Sequence, residues 1–309
     1  MSYRPFFTKL LLLSVFLRTH SELDGSNDLE DEISASLTDT IEKNFLNGRT
    51  TGKSSTNPTL TSTMTSTNTS STQKIPIRYP FMVSIQIIEN GKYKHLCGGT
   101  ILNKYFVITA AHCTLLPQQL YAKNLFVIGG SNMLYDRKSI RFRVRELKRH
   151  PKFQPFHGND IMLLQLTSAI PLDNLRFSAI DFRQSYRVDK DLHLILLGWG
   201  RTKVQTPKNI EVVHFRTMSN AKCFVNYKFK YLKNGDICAN NTKGDRGACD
   251  GDSGGPLIDE QLNYLHGVLS YGRKPCVKGR IYVFTRMSEY IGWIKRQMGK
   301  MTVKKPIRR

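Results

Sequence analysis

The sequence predicts an all-β fold for its last three-quarters. From Ile75 onward, short apolar runs separated by Gly, Pro, Asn and Lys recur at the spacing of strands in all-β proteins. The runs are PFMVSIQII, YFVITAA, LFVIGG, IMLLQL, LHLILLGWG, LHGVLSY and RIYVFT. A convincing helical pattern occurs only near the C-terminal end, in Tyr290, Ile291, Trp293, Ile294 and Met298. Many strands followed by one helix indicate β-barrels or a β-sandwich.

The N-terminal segment has the pattern of a secretory signal. Arg4 and Lys9 precede an apolar run from Leu10 to Leu17, and Arg18 follows it. Because about 20 apolar residues are needed to span a bilayer, this run indicates a signal peptide over residues 1–21 and no membrane span. We therefore expect a secreted, extracellular protein. The alternative is a membrane anchor or a buried amphipathic end.

Residues 22–74 have too little apolar content to form a core. An acidic stretch around Glu30 to Glu32 gives way to a Ser/Thr/Asn tract from Thr50 to Thr72, which predicts a disordered pro-region. O-glycosylation is expected in this tract. The sequence also contains N-glycosylation acceptor patterns at Asn68 and Asn240, although such short patterns often arise by chance.

Charge is distributed unevenly in a chain whose formal net charge is +22. Residues 21–48 hold eight acids and one base, whereas residues 75–309 hold 39 bases and 16 acids, a net charge of +23. Such a surface attracts polyanions or acidic surfaces. A merely soluble basic surface is the equal alternative, since only the short tail Lys304, Lys305, Arg308 and Arg309 is clustered. Export excludes nucleic acid as an expected partner.

Six cysteines form an even set behind an export signal, so disulfides are expected. Sequence arithmetic alone leaves about 15 pairings open. No CxxC pair of the kind that binds zinc occurs, and no cofactor is expected.

The segment Gly251 to Pro256 reads GDSGGP, and its Ser253 is flanked by glycines that leave room for a substrate backbone. A serine hydroxyl becomes nucleophilic when a histidine takes its proton and a carboxylate orients that histidine. Two candidates precede it in the chain: His112 within TAAHC and Asp160 within NDIMLLQL. Together, these three residues predict nucleophilic catalysis at Ser253.

These motifs, together with GWG at Gly198 to Gly200, SYG at Ser270 to Gly272 and the closing TRMSEYIGWI, resemble the chymotrypsin/trypsin family throughout residues 75–298. We expect this chain to be an insect-type secreted protease, or a protease homologue, of that family. The resemblance implies two six-stranded antiparallel β-barrels, with a helix around residues 288–298 and a cleft between the barrels. We therefore expect a serine protease domain over residues 75–309, acting as a monomer on protein or peptide substrates.

The resemblance also implies roles for individual residues. Ser253 would attack the scissile carbonyl, His112 would act as base and then acid, and Asp160 would orient His112 while ionised. The main-chain N–H groups of Gly251 and Ser253 would form the oxyanion hole. The implied disulfides are Cys97–Cys113, Cys223–Cys238 and Cys249–Cys276. No metal or calcium site is expected.

The specificity pocket departs from the pattern of trypsin. By resemblance Gly247 lies at its base, where an Asp would select Lys or Arg, and Ser270 and Gly272 belong to its walls. Alignment on the closing Thr-Arg-Met places Tyr282 where glycine is usual, which predicts a short pocket for small apolar residues. Sliding the alignment by two residues would instead place Arg280 in the wall and favour acidic side chains. Asp250 would lie at the rim.

The family's activation segment is missing from the sequence. Family zymogens are cut before an Ile-Val-Gly-Gly-like segment, whose new amino group inserts beside the residue equivalent to Asp252. That segment would fall at Asn68, inside the Ser/Thr tract. Ile75, after the basic Lys74, lies only five residues before Pro80, a reach of about 17 Å against about 40 Å for twelve residues. Two hypotheses follow: an active endopeptidase matured at Lys74–Ile75 or by an unusual route, or a catalytically weak homologue that binds a partner.

Overall fold

The computed structural model describes residues 77–115, 122–183, 191–201, 206–227, 232–243, 246–272 and 275–302. The predicted signal peptide, the pro-region, Asn68, the Lys74–Ile75 bond and the basic tail all lie outside these ranges. No helix in the described ranges combines the length and the apolar character needed to cross a membrane.

The first half of the described chain forms a closed antiparallel barrel. Its strands follow the order β1-β2-β3-β6-β5-β4 around the barrel. They are β1 (Met82–Glu89), β2 (Lys92–Asn103), β3 (Phe106–Thr109), β4 (Leu125–Gly129), β5 (Ile140–Arg149) and β6 (Met162–Leu166). The contact of β1 with β4 closes the ring, so no strand edge is left open.

The second half forms a second closed antiparallel barrel, in the order β10-β11-β12-β9-β8-β7. Its strands are β7 (His193–Gly198), β8 (Glu211–Met218), β9 (Asp236–Asn241), β10 (Pro256–Asp259), β11 (Leu265–Gly272) and β12 (Ile281–Arg286). The prediction of two six-stranded barrels is confirmed, and the β-sandwich alternative is wrong.

Each of the seven apolar runs contributes a strand, but the remaining five strands lack a continuous apolar run. In β5 the residues alternate, with Phe142 and Val144 buried and Arg141 and Arg143 exposed. The two guanidinium groups stack on aromatic rings of β2 and β4, 4.8 Å and 5.3 Å from the ring centroids. Such a strand has one buried face and one charged face. Its apolar residues therefore alternate with charged ones, and a search for continuous apolar runs does not find it.

Two α-helices occur in the described residues, α1 (Asn220–Tyr227) and α2 (Met287–Thr302). The C-terminal helix α2 was predicted, and it extends beyond the expected residues 288–298 at both ends. The expectation of a helix only at the end is wrong, because α1 precedes β9. It has no apolar stripe to detect, since Cys223 is fully buried while Phe224 and Val225 are exposed.

The glycosylation pattern at Asn240 lies within β9, between β8 and β12. Its side-chain oxygen is buried without a hydrogen-bond partner. A strand paired on both sides gives a glycan far less room than an exposed loop does.

Asp236 is a buried acid at the start of β9, with 2% of its surface exposed. Its carboxylate accepts a hydrogen bond from the main-chain N–H of Lys233 at 2.8 Å. Burial nevertheless dominates and raises the pKa of Asp236 to about 6. Between about pH 4 and 6 the folded chain therefore holds a proton that the unfolded chain has released, and this residue lowers stability as the pH rises.

We predict that Asp236→Asn removes this pH dependence. The free energy of unfolding of the variant, relative to wild type, rises by up to about 3 kcal/mol between pH 4 and 7, since one pKa unit corresponds to about 1.4 kcal/mol. Urea unfolding at pH 4, 5, 6 and 7 measures it. Asp191→Asn, at an exposed acid, is the matched control. A constant difference between Asp236→Asn and wild type across this range would contradict the prediction.

Candidate active site

His112 lies at the end of the first barrel, in a 3₁₀ helix (Ala111–Thr114) that follows β3. The disulfide Cys97–Cys113 joins this helix to β2, with the two Cα atoms 6.3 Å apart. The hydroxyl of Thr109 donates a hydrogen bond to the carbonyl of Gly98 at 2.7 Å and links β3 to β2. The backbone that carries His112 is therefore fixed on both sides of the imidazole.

Asp160 lies beside His112 and is 4% exposed. One carboxylate oxygen accepts the main-chain N–H of His112 at 2.9 Å, and the other lies 2.6 Å from His112 Nδ1. Because a carboxylate only accepts, Nδ1 carries the hydrogen, and Nε2 of the neutral ring keeps its lone pair. The imidazole is thus held in one tautomer.

The second barrel holds the same aspartate. The hydroxyl of Ser270 donates to the carboxylate of Asp160 at 2.5 Å, and that of Thr285 donates to its carbonyl at 2.7 Å. Ser270 lies on β11 and Thr285 on β12, whereas Asp160 precedes β6 of the first barrel. Asp160 therefore lies at the junction of the two barrels.

The charges of this pair are mutually stabilised. Burial acts to raise the pKa of Asp160, but the imidazole charge and the hydrogen bonds from His112 and Ser270 outweigh it and lower the pKa. Burial likewise acts to lower the pKa of His112, yet the charge of Asp160 and the hydrogen bond to it outweigh burial and raise that pKa above its ordinary value. Asp160 stays ionised, and His112 is a stronger base than a free imidazole.

The loop that carries Ser253 packs against the strands leading to His112. The main-chain N–H of Gly98 donates to the carbonyl of Ser253 at 2.8 Å, and the N–H of Gly254 donates to Leu269 at 2.9 Å. Gly254 has φ of +75°, and a Cβ there would lie 3.1 Å from the nitrogen of Ala110 and overlap the hydroxyl of Thr109. Glycine at this position lets the serine loop approach the His112 segment closely.

Buried polar side chains fix the carbonyl of Gly251. His95 Nε2 lies 2.9 Å from this oxygen, and its Nδ1 lies 2.8 Å from the hydroxyl of Ser84, which accepts from Gln86 at 2.8 Å. Burial lowers the pKa of His95, so its ring is neutral, with Nε2 donating. In the described part of the chain, neither Gly251 nor Ser253 donates its main-chain N–H to an acceptor.

Asp252, between those two residues, is fully buried. Its carboxylate accepts the N–H of Gly200 at 2.7 Å, the N–H of Cys249 at 2.9 Å and Nη1 of Arg246 at 3.0 Å. A Cβ at Gly198 or Gly200 would overlap this carboxylate, which explains the glycines of the GWG motif. The sequence reasoning singled out Asp252 but missed Arg246.

The segment predicted to form the specificity pocket is filled by Tyr282, which is 2% exposed. Tyr282 pairs with Gly272 across β11 and β12. A Cβ at Gly272 would overlap its ring, and one at Gly247 would overlap its hydroxyl. Arg280, the residue favoured by the alternative alignment, is exposed before β12. Burial raises the pKa of Tyr282 to about 12, and no described residue forms a hydrogen bond with its hydroxyl.

The other disulfides are Cys223–Cys238 and Cys249–Cys276, so the structure contains the three pairs that the resemblance implies. In the described residues, the one compact group of metal-binding side chains consists of His112, Cys97 and Cys113. Both cysteines are oxidised in a disulfide, so they supply no thiolate ligand.

The fold and these motifs define a trypsin-like serine protease domain, and comparison with known proteins agrees. The family model Trypsin matches residues 67–294, and the chain belongs to that family. The match begins before Ile75, so the domain start at residue 75 remains a prediction.

Individual relatives span the family. The chain is 30% identical to chymotrypsin-like elastase family member 1 of Macaca fascicularis, over 71% of this chain and 84% of the relative. It is 31% identical to chymotrypsin-2 of Vespa crabro, over 71% and 94%. The solved structure of neuropsin, a serine protease expressed in the limbic system of mouse brain, superposes with a TM-score of 0.61 at 26% identity, over 72% and 96%. Insect and mammalian relatives match equally well, so the comparisons do not single out an insect type.

We predict that Asp160→Asn lowers the pKa of His112 below the ordinary histidine value. The substitution removes the charge that raises this pKa and leaves burial, which lowers it, unopposed. An NMR titration of the imidazole resonances from pH 4 to 9 measures the shift. Asp191→Asn, on the surface of the second barrel, is expected to leave it unchanged. An unaltered His112 pKa in Asp160→Asn would contradict the electrostatic account.

Proposed function

We propose that this protein is a secreted serine endopeptidase that uses His112, Asp160 and Ser253 as a catalytic triad. The observation that carries the proposal is the hydrogen-bonded pair of His112 and Asp160, with Nδ1 and Oδ2 2.6 Å apart and Ser270 supporting the carboxylate. A protein that only binds a partner has no physical need for a buried carboxylate that makes a histidine more basic.

In the proposed mechanism, Nε2 of His112 takes the proton of the Ser253 hydroxyl as the serine oxygen attacks the substrate carbonyl. The imidazolium that forms is stabilised by Asp160, which remains ionised. His112 then gives the proton to the leaving amine, and an acyl group stays on Ser253. Water, activated by His112 in the same way, releases the acid and restores the serine.

The main-chain N–H groups of Gly251 and Ser253 are the proposed oxyanion hole. Neither N–H group has a hydrogen-bond acceptor among the described residues. The carbonyl of Gly251 is fixed by its hydrogen bond from His95 Nε2. Donors fixed in advance favour the transition state, in which the carbonyl oxygen gains charge.

The proposed substrates are proteins or peptides with a small apolar residue before the cut. Tyr282 occupies the space between Gly272 and Gly247, and Gly247 provides no carboxylate for a lysine or arginine side chain. We further propose that residues 1–21 direct secretion, that residues 22–74 precede a protease domain over residues 75–309, and that the basic surface attracts polyanions.

The second candidate is a catalytically weak homologue that binds a partner. The filled pocket favours it, because a buried tyrosine leaves little room for a substrate side chain. Reactivity at Ser253 separates the two candidates.

We predict that a fluorophosphonate probe labels the secreted, processed protein at Ser253 and leaves Ser253→Ala unlabelled. The labelling rate falls as the pH drops through the raised pKa of His112, because a protonated imidazole cannot accept the serine proton. Mass spectrometry of the labelled peptide and rates from pH 5 to 9 measure both. No labelling at any pH would instead support the binding homologue.

We predict that Tyr282→Gly opens the pocket. Peptide substrates with Phe or Leu before the cut gain at least about tenfold in kcat/KM, while Ala substrates change little. Tyr282→Phe keeps the ring and serves as the control. Because loss of a buried aromatic ring costs about 3–5 kcal/mol, melting curves first establish that the variant is folded. A folded Tyr282→Gly with an unchanged substrate preference would show that Tyr282 does not set the pocket.

A further inference from the structure

The ion pair between Arg246 and Asp252 lies directly behind the loop that carries Ser253. Nη1 of Arg246 is 3.0 Å from the Asp252 carboxylate, and the two side chains are 15% and 0% exposed. The same Nη1 lies 3.3 Å from the carbonyl of Gly200. This is a buried pair, unlike the exposed pair of Arg216 with Asp191.

The main chain at Arg246 and at the residue that follows it is fixed. Arg246 forms an antiparallel bridge with Val277, and the N–H of Gly247 donates to the carbonyl of Cys276 at 3.0 Å. The disulfide Cys249–Cys276 closes the same segment. The guanidinium therefore approaches Asp252 from a rigid support.

The position of Arg246 beside Asp252 carries an energetic penalty. Its Nε and Nη2 atoms are buried and have no hydrogen-bond partner among the residues that the structure describes, which is unfavourable for groups that lose their water. Buried polar groups that are left unpaired are expected mainly at functional sites.

Asp252 has little capacity for another cation. One of its carboxylate oxygens accepts from Gly200, and the other accepts from Cys249 and Arg246. The carboxylate is enclosed by Gly198 and Gly200, where even a methyl group would overlap it. By family resemblance, an amino group released by cleavage would occupy this place, but the chain has no Ile-Val-Gly-Gly-like segment at Asn68.

We propose that Arg246 is a positioning residue that supplies from within the chain the cation that Asp252 requires, so that the loop from Gly251 to Ser253 is formed without N-terminal cleavage. This inference rests on the proposed function, since it concerns how the same site reaches its reactive geometry. The guanidinium neutralises a carboxylate that would otherwise be an unpaired buried charge. With Asp252 held, Gly251 keeps its φ of +96° and its carbonyl stays on His95.

The test begins with full-length chains that carry Lys74→Ala, in which the proposed maturation site is removed and intact mass confirms the uncut state. Fluorophosphonate labelling at Ser253 is expected within about threefold of wild type. Adding Arg246→Gln slows labelling at least about tenfold, while adding Arg216→Gln, at the exposed pair, leaves it unchanged. Arg246→Lys, which keeps the cation, restores part of the rate.

The pH profile of the wild-type protein gives a readout that needs no variant to fold. An amino terminus titrates near pH 8, whereas a guanidinium stays charged above pH 12. We expect the labelling rate to remain level from pH 8 to 10. Among the described residues, the titratable groups that face this pair are His95, which is neutral throughout this range, and Tyr282, whose pKa is about 12. Arg246→Lys is expected to lose its rate as the pH rises, because burial lowers the pKa of a lysine.

Each outcome decides one question. If the cleaved wild type is labelled and the uncut chain is not, the inference is overturned while the proposed function stands. Equal labelling of Arg246→Gln and its parent, or a wild-type rate that falls between pH 8 and 10, also overturns the inference. If neither the cleaved nor the uncut chain is labelled, the proposed function fails and the inference falls with it.

Discussion

The burial of one negative charge, on Asp160, links the packing of the two barrels to the geometry of the site. Removing a carboxylate from water costs several kcal/mol, and its hydrogen-bond donors must offset that cost. The donors come from both barrels: His112 contributes two N–H groups from the first, and Ser270 contributes a hydroxyl from the second. A change in barrel packing that separated these groups would leave the charge unpaired, so the geometry of the site is coupled to the stability of the fold.

Asp252 is a second buried carboxylate, and it is stabilised in a different way. Asp160 faces an imidazole whose charge can change, which makes the pair responsive to pH. Asp252 faces the guanidinium of Arg246, together with two main-chain N–H groups. The carboxylate of Asp160 raises the pKa of His112, whereas the carboxylate of Asp252 fixes the loop that carries Ser253. The same fold therefore contains one buried carboxylate whose partner responds to pH and another that holds a loop in one conformation.

The sequence predicts what depends on local pattern and on motif, and misses what depends on contacts between distant segments. Apolar runs identified seven strands, but β5 escaped because its alternating arginines break the run. The short helix α1 was not predicted because it has no apolar stripe. The disulfide between Cys223 and Cys238 attaches it to β9 instead. The role of Arg246 could not be predicted, since nothing in its local sequence indicates which way its side chain points. A basic residue shortly before the GDSGGP motif, in a chain without an activation segment, is the signal that could have suggested it.

Tyr282 and Arg246 act on different parts of the site. Tyr282 fills the space where a substrate side chain would lie and contacts Phe215 edge to face, with ring centroids 5.4 Å apart. It makes no hydrogen bond to Asp160 or His112, so the pairing of those two residues does not depend on it. Arg246 contacts the Asp252 carboxylate, and Asp252 belongs to the loop that carries Ser253. The proposed attack by Ser253 and the proposed choice of substrate side chain thus depend on separate hydrogen bonds, so a narrowed pocket is compatible with an intact pair of His112 and Asp160.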